Sequence, residues 1–164
     1  MASASITSPI HRKSDDTKIF KPIAIFDIES VNDMLDAAYP SMTQGRFSDA
    51  QQHFHAAICL ITLVVVKRQS EVAKLLQMLS VCREYLVGLG LQISMKATQD
   101  PKRSVELAAY FTHCTLEDTH SQKIVQQAMV MAFKLKCYGT ALGFARRLLA
   151  LNPDAKVAET VRKF

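Results

Sequence analysis

The chain predicts an all-α fold: an irregular stack of antiparallel αα-hairpins packed in a tetratricopeptide-like manner. Three observations lead there. From Pro22 onward, apolar residues recur at intervals of three and four, the period of a helix face. Breakers fall between those runs, at Gln44-Gly45, Asp100-Pro101 and Asn152-Pro153, so loops are short and neighbouring helices should run antiparallel. Only 5 Gly and 5 Pro are spread over 164 residues, too few for the turn-rich grammar of a β-sandwich.

Residues 1–21 are rich in Ser, Thr and charge, and are expected to form a flexible tail. Residues 22–164 are expected to form one helical domain, long enough to enclose its own core. Ile23, Ile25, Phe26 and Ile28 supply its first apolar cluster. The first helix should open at Ser30, with Asp33 three residues on as a capping box. It carries Val31, Met34, Leu35 and Ala38 inward and should stop at Gln44-Gly45, where glycine accepts the left-handed cap. The second runs from Phe47 to Ile61, with Phe47, Ala50, Phe54, Ala57, Ile58 and Ile61 at helical spacing. Leu63 to Val66 is β-branched, and with no partner strand following it reads as a connector.

The third helix is the longest, from Gln69 to Met95. Its expected stripe is Val72, Leu75, Leu76, Leu79, Cys82, Leu86, Leu89 and Ile93. Gly88 and Gly90 interrupt it, each unfavourable by about 1 kcal/mol relative to Ala, which points to a close helix contact or a kink. Asp100-Pro101 gives an N-cap and a proline at the first helical position, starting a helix to His113. The fifth spans Asp118 to Lys136 with Val125, Ala128, Met129, Ala132 and Phe133 inward. The sixth covers Tyr138 to Leu151, and a last one starts at Pro153.

Gly45, Phe47, Ala50, Phe54 and Ala57 match the second half of a tetratricopeptide repeat, in which small residues let helices approach and aromatics fill the gap. They fit ordinary small-large packing equally well. A weaker copy, Tyr138, Ala141, Leu148 and Pro153, lies 91 residues on, not a multiple of the usual period of about 34, and reads as ordinary packing.

The net charge of +5 is dispersed in pairs such as Lys67-Arg68 and Arg146-Arg147, which fits a solvated surface better than a nucleic-acid site. Cys59, Cys82, Cys114 and Cys137 form no C-x-x-C pair and read as reduced cytosolic thiols. No signal peptide is expected, and the longest apolar run, Ala56 to Val66, falls short of the roughly 20 residues a bilayer needs.

Little here points to chemistry. His113, Cys114 and His120 would need Cys82 or Cys137 as a fourth zinc ligand, and polar helix ends explain them better. Cys82 lies on an apolar stripe, where a thiol packs rather than reacts. Gly88-Leu89-Gly90 follows no strand, so it is no phosphate loop. No catalytic residue, metal or cofactor, and no small-molecule substrate or nucleic acid, is expected. Six residues are candidates for contact with a partner: Arg83, Tyr85, Tyr110, Phe111, Arg146 and Arg147. Arg83 and Tyr85, with Glu84, form either a partner-facing cluster or a buried network in which Tyr85 joins two helices; the network is the preferred reading. Of Tyr110 and Phe111, about 100° apart on a helix, one should fill the core and the other edge toward a groove or partner. Arg146-Arg147 should meet either a neighbouring helix through a salt bridge or an acidic partner.

Three stretches carry more than pattern: Cys82-Arg-Glu-Tyr-Leu-Val-Gly-Leu89; Glu106-Leu-Ala-Ala-Tyr-Phe-Thr-His-Cys-Thr-Leu116; and Phe133-Lys-Leu-Lys136 with Ala141, Phe144-Ala-Arg-Arg-Leu-Leu149, Val157-Ala158 and Thr160-Val-Arg-Lys163. In this order and spacing, over about residues 23–164, the chain resembles the C-terminal helical region of the coatomer α subunit. The resemblance implies a non-enzymatic coat scaffold, cytoplasmic and peripheral on Golgi membranes and coated vesicles. Its implied partners are the coatomer ε subunit and other coatomer subunits, and its implied role is in retrograde Golgi-to-ER and intra-Golgi transport. The family's N-terminal β-propellers and final small β domain have no counterpart here, so the chain is expected to be a fragment or a reduced relative. Asp118-Thr119-His120 stands where the family commonly has Pro-Val-His. The alternatives are a helical adaptor of another complex and a basic nucleic-acid-binding helical module.

Overall fold

The structure, a computed structural model, describes residues 10–13, 21–24, 26–66 and 68–153, with side chains from Phe26 onward. Among the described residues the body is six helices: α1 (Ile28–Thr43), α2 (Phe47–Ile61), α3 (Gln69–Ala97), α4 (Pro101–Phe111), α5 (Asp118–Lys134) and α6 (Tyr138–Leu151). Each packs mainly on the next, as expected of stacked hairpins. Ahead of them, β1 (Ile10–Lys13) pairs antiparallel with β2 (Lys21–Ala24), Ile10 facing Ala24 and Lys13 facing Lys21. Strands of four residues are too short for an alternation to show in the sequence. The expected helix from Pro153, the Val157-Ala158 and Thr160–Lys163 matches, and most of residues 1–21 lie outside the described residues, as does Ile25.

Helix ends follow local chemistry. The cap of α1 is Asp27, not Ser30: its carboxylate accepts from the Ser30 amide at 3.0 Å and hydroxyl at 2.9 Å. A carboxylate suits the positive end of the helix dipole, and that shifts the start upstream of the expected box. Asp100 caps α4 by accepting from the Lys102 amide at 2.9 Å, with Pro101 in the first turn. Gly45 takes φ +76° after α1, and Lys136 takes φ +60° after α5. Both turns close alike. Gly45 N–H bonds to Met42 C=O and Arg46 N–H to Ser41 C=O; Lys136 N–H bonds to Phe133 C=O and Cys137 N–H to Ala132 C=O. These are two Schellman caps, each leading into a helix that buries alanine three residues in, Ala50 and Ala141. The second repeat copy is therefore a real structural echo of the first.

Two cores result. One gathers Val31, Leu35, Ala38, Ala50, Phe54, Ala57 and the front of α3, with Phe111 and Ile124 joining from α4 and α5. The other joins Met95, Leu107, Ala108, Val125, Ala128, Met129, Ala132, Ala141, Phe144 and Leu148. The register of α3 differs from the expected stripe. Leu75, Met78, Cys82, Tyr85, Leu89 and Gln92 face inward, alternating steps of three and four, while Leu76 is 60% exposed and Ile93 lies on the surface. Leu75, Cys82 and Leu89 belong to both stripes; α3 carries apolar residues on two sides, and contact with α2 and α4 selects one. Gly88 lies against the Phe111 ring so closely that a Cβ would collide with it, whereas Gly90 faces open space.

Candidate partner-docking site

Beneath the surface, three helices are tied by a polar seam. His120, 3% exposed, sits on the buried stripe of α5 with Ile124 and Ala128. Its Nδ1 lies 2.7 Å from the Tyr85 hydroxyl on α3, and its Nε2 lies 2.9 Å from Thr43 Oγ1 on α1. The Thr43 hydroxyl donates to Tyr39 C=O at 3.0 Å, so it accepts from Nε2–H. That leaves Nδ1 as the acceptor for the Tyr85 O–H, whose oxygen also accepts the Glu117 amide at 3.2 Å. The pattern assigns one neutral tautomer with every partner filled. Burial lowers the pKa of His120 from its usual 6.5, against a smaller upward pull from Glu117.

Around this seam, Tyr85 stacks on Phe54 at 4.4 Å, and Tyr39 meets both edge-on at 5.6 and 5.9 Å. Burial pushes the Tyr39 hydroxyl up to about 12 and the Cys82 thiol up to about 11. A thiol held that far from ionisation is a packing group, not a nucleophile. His120, considered in sequence as a metal ligand, is instead committed to Tyr85 and Thr43. Among the described residues, no three His, Cys, Asp or Glu side chains converge as metal ligands.

The six candidate contact residues separate into two groups. Tyr85, 1% exposed, and Phe111, 2% exposed, are enclosed and present no surface to a partner. Tyr85 joins helices through His120, as the network reading expected. Phe111 fills the core while Tyr110, 61% exposed, stays outside, the division expected of that pair. Arg83 is on the surface beside Glu84 at 3.3 Å, and Glu84 reaches across to accept the Thr115 amide at 3.2 Å. Arg147 forms no salt bridge to a neighbouring helix among the described residues. It donates to Thr112 C=O at 2.7 Å and Thr112 Oγ1 at 2.9 Å, closing the carbonyl end of α4 from α6. Unpaired carbonyls at a helix C-terminus carry partial negative charge, so a guanidinium finds there what a carboxylate would offer. Arg146 remains exposed.

One surface was marked in the sequence only at Arg146. Tyr138, Leu142 and Arg146 follow one another at four-residue steps on the outer face of α6, all exposed. Tyr138 is steadied by an edge contact to Phe133 at 5.4 Å. Gly139 and Gly143 lie beside them with open space where a Cβ would stand. The i, i+4, i+8 spacing was legible; that these three side chains stay exposed in the described stack, with only Tyr138 touching α5 through Phe133, was not.

Comparison with known proteins gives a consistent picture. A family described as the C-terminus of the Coatomer (COPI) alpha subunit matches residues 1–164. Coatomer subunit alpha of Dictyostelium discoideum is 35% identical over 170 residues, covering 99% of this chain and 14% of that protein. Coatomer subunit alpha-3 of Oryza sativa subsp. japonica is 36% identical over 143 residues, covering 87% of this chain and 12% of the relative. Coatomer subunit alpha of Saccharomyces cerevisiae is 30% identical over 138 residues, covering 83% and 12%. The chain thus spans about an eighth of the length of the curated relatives it matches.

Proposed function

The chain belongs to the family formed by the C-terminal regions of coatomer α subunits, and from that premise we propose that it is a non-enzymatic piece of the vesicle coat that docks the coatomer ε subunit. On this reading it contacts other coatomer subunits as well, works in retrograde Golgi-to-ER and intra-Golgi transport, and reaches the Golgi membrane peripherally, through the assembled coat. No described helix is long and apolar enough to cross a membrane.

The observation that carries the proposal is the division of labour in the helices. The polar seam and both cores lock side chains such as Tyr85, His120 and Cys82 into structure. Meanwhile Tyr110 on α4 and Tyr138, Leu142 and Arg146 on α6 are left outward. Aromatic and Arg side chains standing on a rigid helical support are the usual anchors of protein interfaces. Arg83, Tyr110 and Arg146 are accordingly the residues of the original six that remain as contact candidates, with Arg147 held against Thr112.

Co-purification tests this. The tagged chain, alone and extended by the family's C-terminal domain, is mixed with purified ε subunit. Capture by the wild-type chain and its loss in Leu142→Asp, with helicity unchanged, would support α6 as the contact. Absence of ε from both forms would sink the docking role.

A further inference from the structure

A shallow trough runs along the outer side of α5. Lys123, Gln126, Gln127, Val130, Met131 and Lys134 line it, at steps that keep them on one helix face. Lys123 and Lys134 stand about 16 Å apart along the axis, eleven residues at about 1.5 Å each. Between them, Val130 and Met131 form a half-buried apolar floor, below the exposed Lys and Gln side chains. At the Lys123 end the trough joins a pocket of about 170 Å³, which shares Lys123 and Gln127 with it. Met42, Phe47, Phe111 and Ile124 give that pocket mostly apolar walls, and Lys96 stands over the Phe47 ring at 4.6 Å. Among the described residues, no Asp or Glu lines the trough or the pocket. Lys96, Lys123 and Lys134 form no ion pair there either. Asp118, the one acidic residue of α5, lies about 140° around the helix from Lys123.

Charge and shape together define an occupant. Two cations at the ends of an apolar floor complement a segment with carboxylates at both ends of an apolar stripe. The backbone decides its conformation. α5 spends its amides and carbonyls within the helix, so an extended strand laid on this face finds no partner for its own, whereas a helix satisfies itself. A flat anionic membrane would meet the lysines but not the floor recessed beneath them. Going beyond the docking of ε at α6, we propose that this α5 face receives an acidic amphipathic helix of a partner protein. Its apolar stripe lies over Val130 and Met131, one apolar side chain enters the pocket against Phe47 and Ile124, and its carboxylates meet Lys123 and Lys134.

The full chain is titrated into a fluorescent synthetic peptide of about 18 residues, five helical turns, with Leu at steps of three and four and Glu at most other positions. A scrambled isomer keeps the charge without the stripe, and a counterpart with Lys for Glu keeps the stripe with the opposite charge. Saturable binding of the first peptide is expected, at least about tenfold tighter than either control. The Val130 and Met131 methyl resonances should shift while those of Leu142 stay in place. Lys123→Glu combined with Lys134→Glu should weaken binding about tenfold. Lys74→Glu combined with Lys102→Glu, the same change of charge on α3 and α4, should leave it unchanged, with circular dichroism verifying that each variant is helical. Binding no tighter than that of the scrambled isomer, or an equal loss in both double variants, would overturn the proposal. So would a different occupant: capture of the chain by phosphatidylserine vesicles, or its self-association in sedimentation, that the Lys123 and Lys134 changes abolish while the peptide does not bind. Because the titration contains no ε subunit, its failure is distinct from a failure of ε capture.

Discussion

His120 shows how a single residue is fixed by its partners. Its neighbours leave it one tautomer, with Nδ1 accepting from Tyr85 and Nε2–H donating to Thr43. Burial disfavours the imidazolium, so the folded-state pKa lies below the unfolded value near 6.5. The sign follows from which state binds the proton more tightly. Above pH 6.5 both states are neutral there, and the seam contributes in full. Below it the unfolded chain takes up a proton that the folded chain resists, so stability falls as pH falls, by up to about 1.4 kcal/mol per pH unit. Glu117, 3.9 Å from Nδ1, opposes the effect and Lys123 reinforces it. Denaturant unfolding between pH 7.5 and 5.5 should show this decline, and His120→Asn should flatten it. An equal decline in both proteins would place the sensitivity elsewhere. Nothing in sequence joined His120 to Tyr85 and Thr43, because the three lie on α5, α3 and α1 and meet only through tertiary packing. Its one local signal was its place four residues before Ile124, on the apolar stripe.

At the scale of an element, two glycines of α3 make a matched test. Gly88→Ala places a Cβ into the Phe111 ring. The overpacking penalty of about 1–3 kcal/mol should outweigh the gain of about 1 kcal/mol in helix propensity. Gly90→Ala meets nothing within 4 Å and should raise stability by up to about 1 kcal/mol. Thermal melts of the two variants should therefore move in opposite directions. The turn after α5 offers a third change. Lys136 holds φ +60° where the equivalent turn has Gly45, and Lys136→Gly should stabilise by about 0.5–1 kcal/mol, relief of left-handed strain offset in part by glycine's entropy. A drop in melting temperature would contradict that reading. The start of α2 and the end of α6 were legible because a breaker and the apolar period agree there, Gly45 before the one and Asn152-Pro153 after the other. The facing of α3 was not, because Leu76, Leu79 and Ile93 make as good a periodic stripe as Met78, Tyr85 and Gln92. Only the neighbours α2 and α4 distinguish them.

For the molecule as a whole, the sequence indicated the class of fold and the family, and the structure adds which side chains are spent internally. Arg147 illustrates the gap. A guanidinium is legible in sequence, but its partner is the C-terminal end of α4, a backbone group with no sequence signature. Tyr110 and the outer face of α6 emerge as surface only when the neighbours are in place. The central proposal is that this helical stack offers its exposed surface to another polypeptide. Calorimetric titration of purified ε subunit into the chain, with circular dichroism verifying that the helices are formed, measures it most directly. The account predicts one saturable site at equimolar stoichiometry; heats no larger than dilution, from a chain shown to be folded, would contradict it.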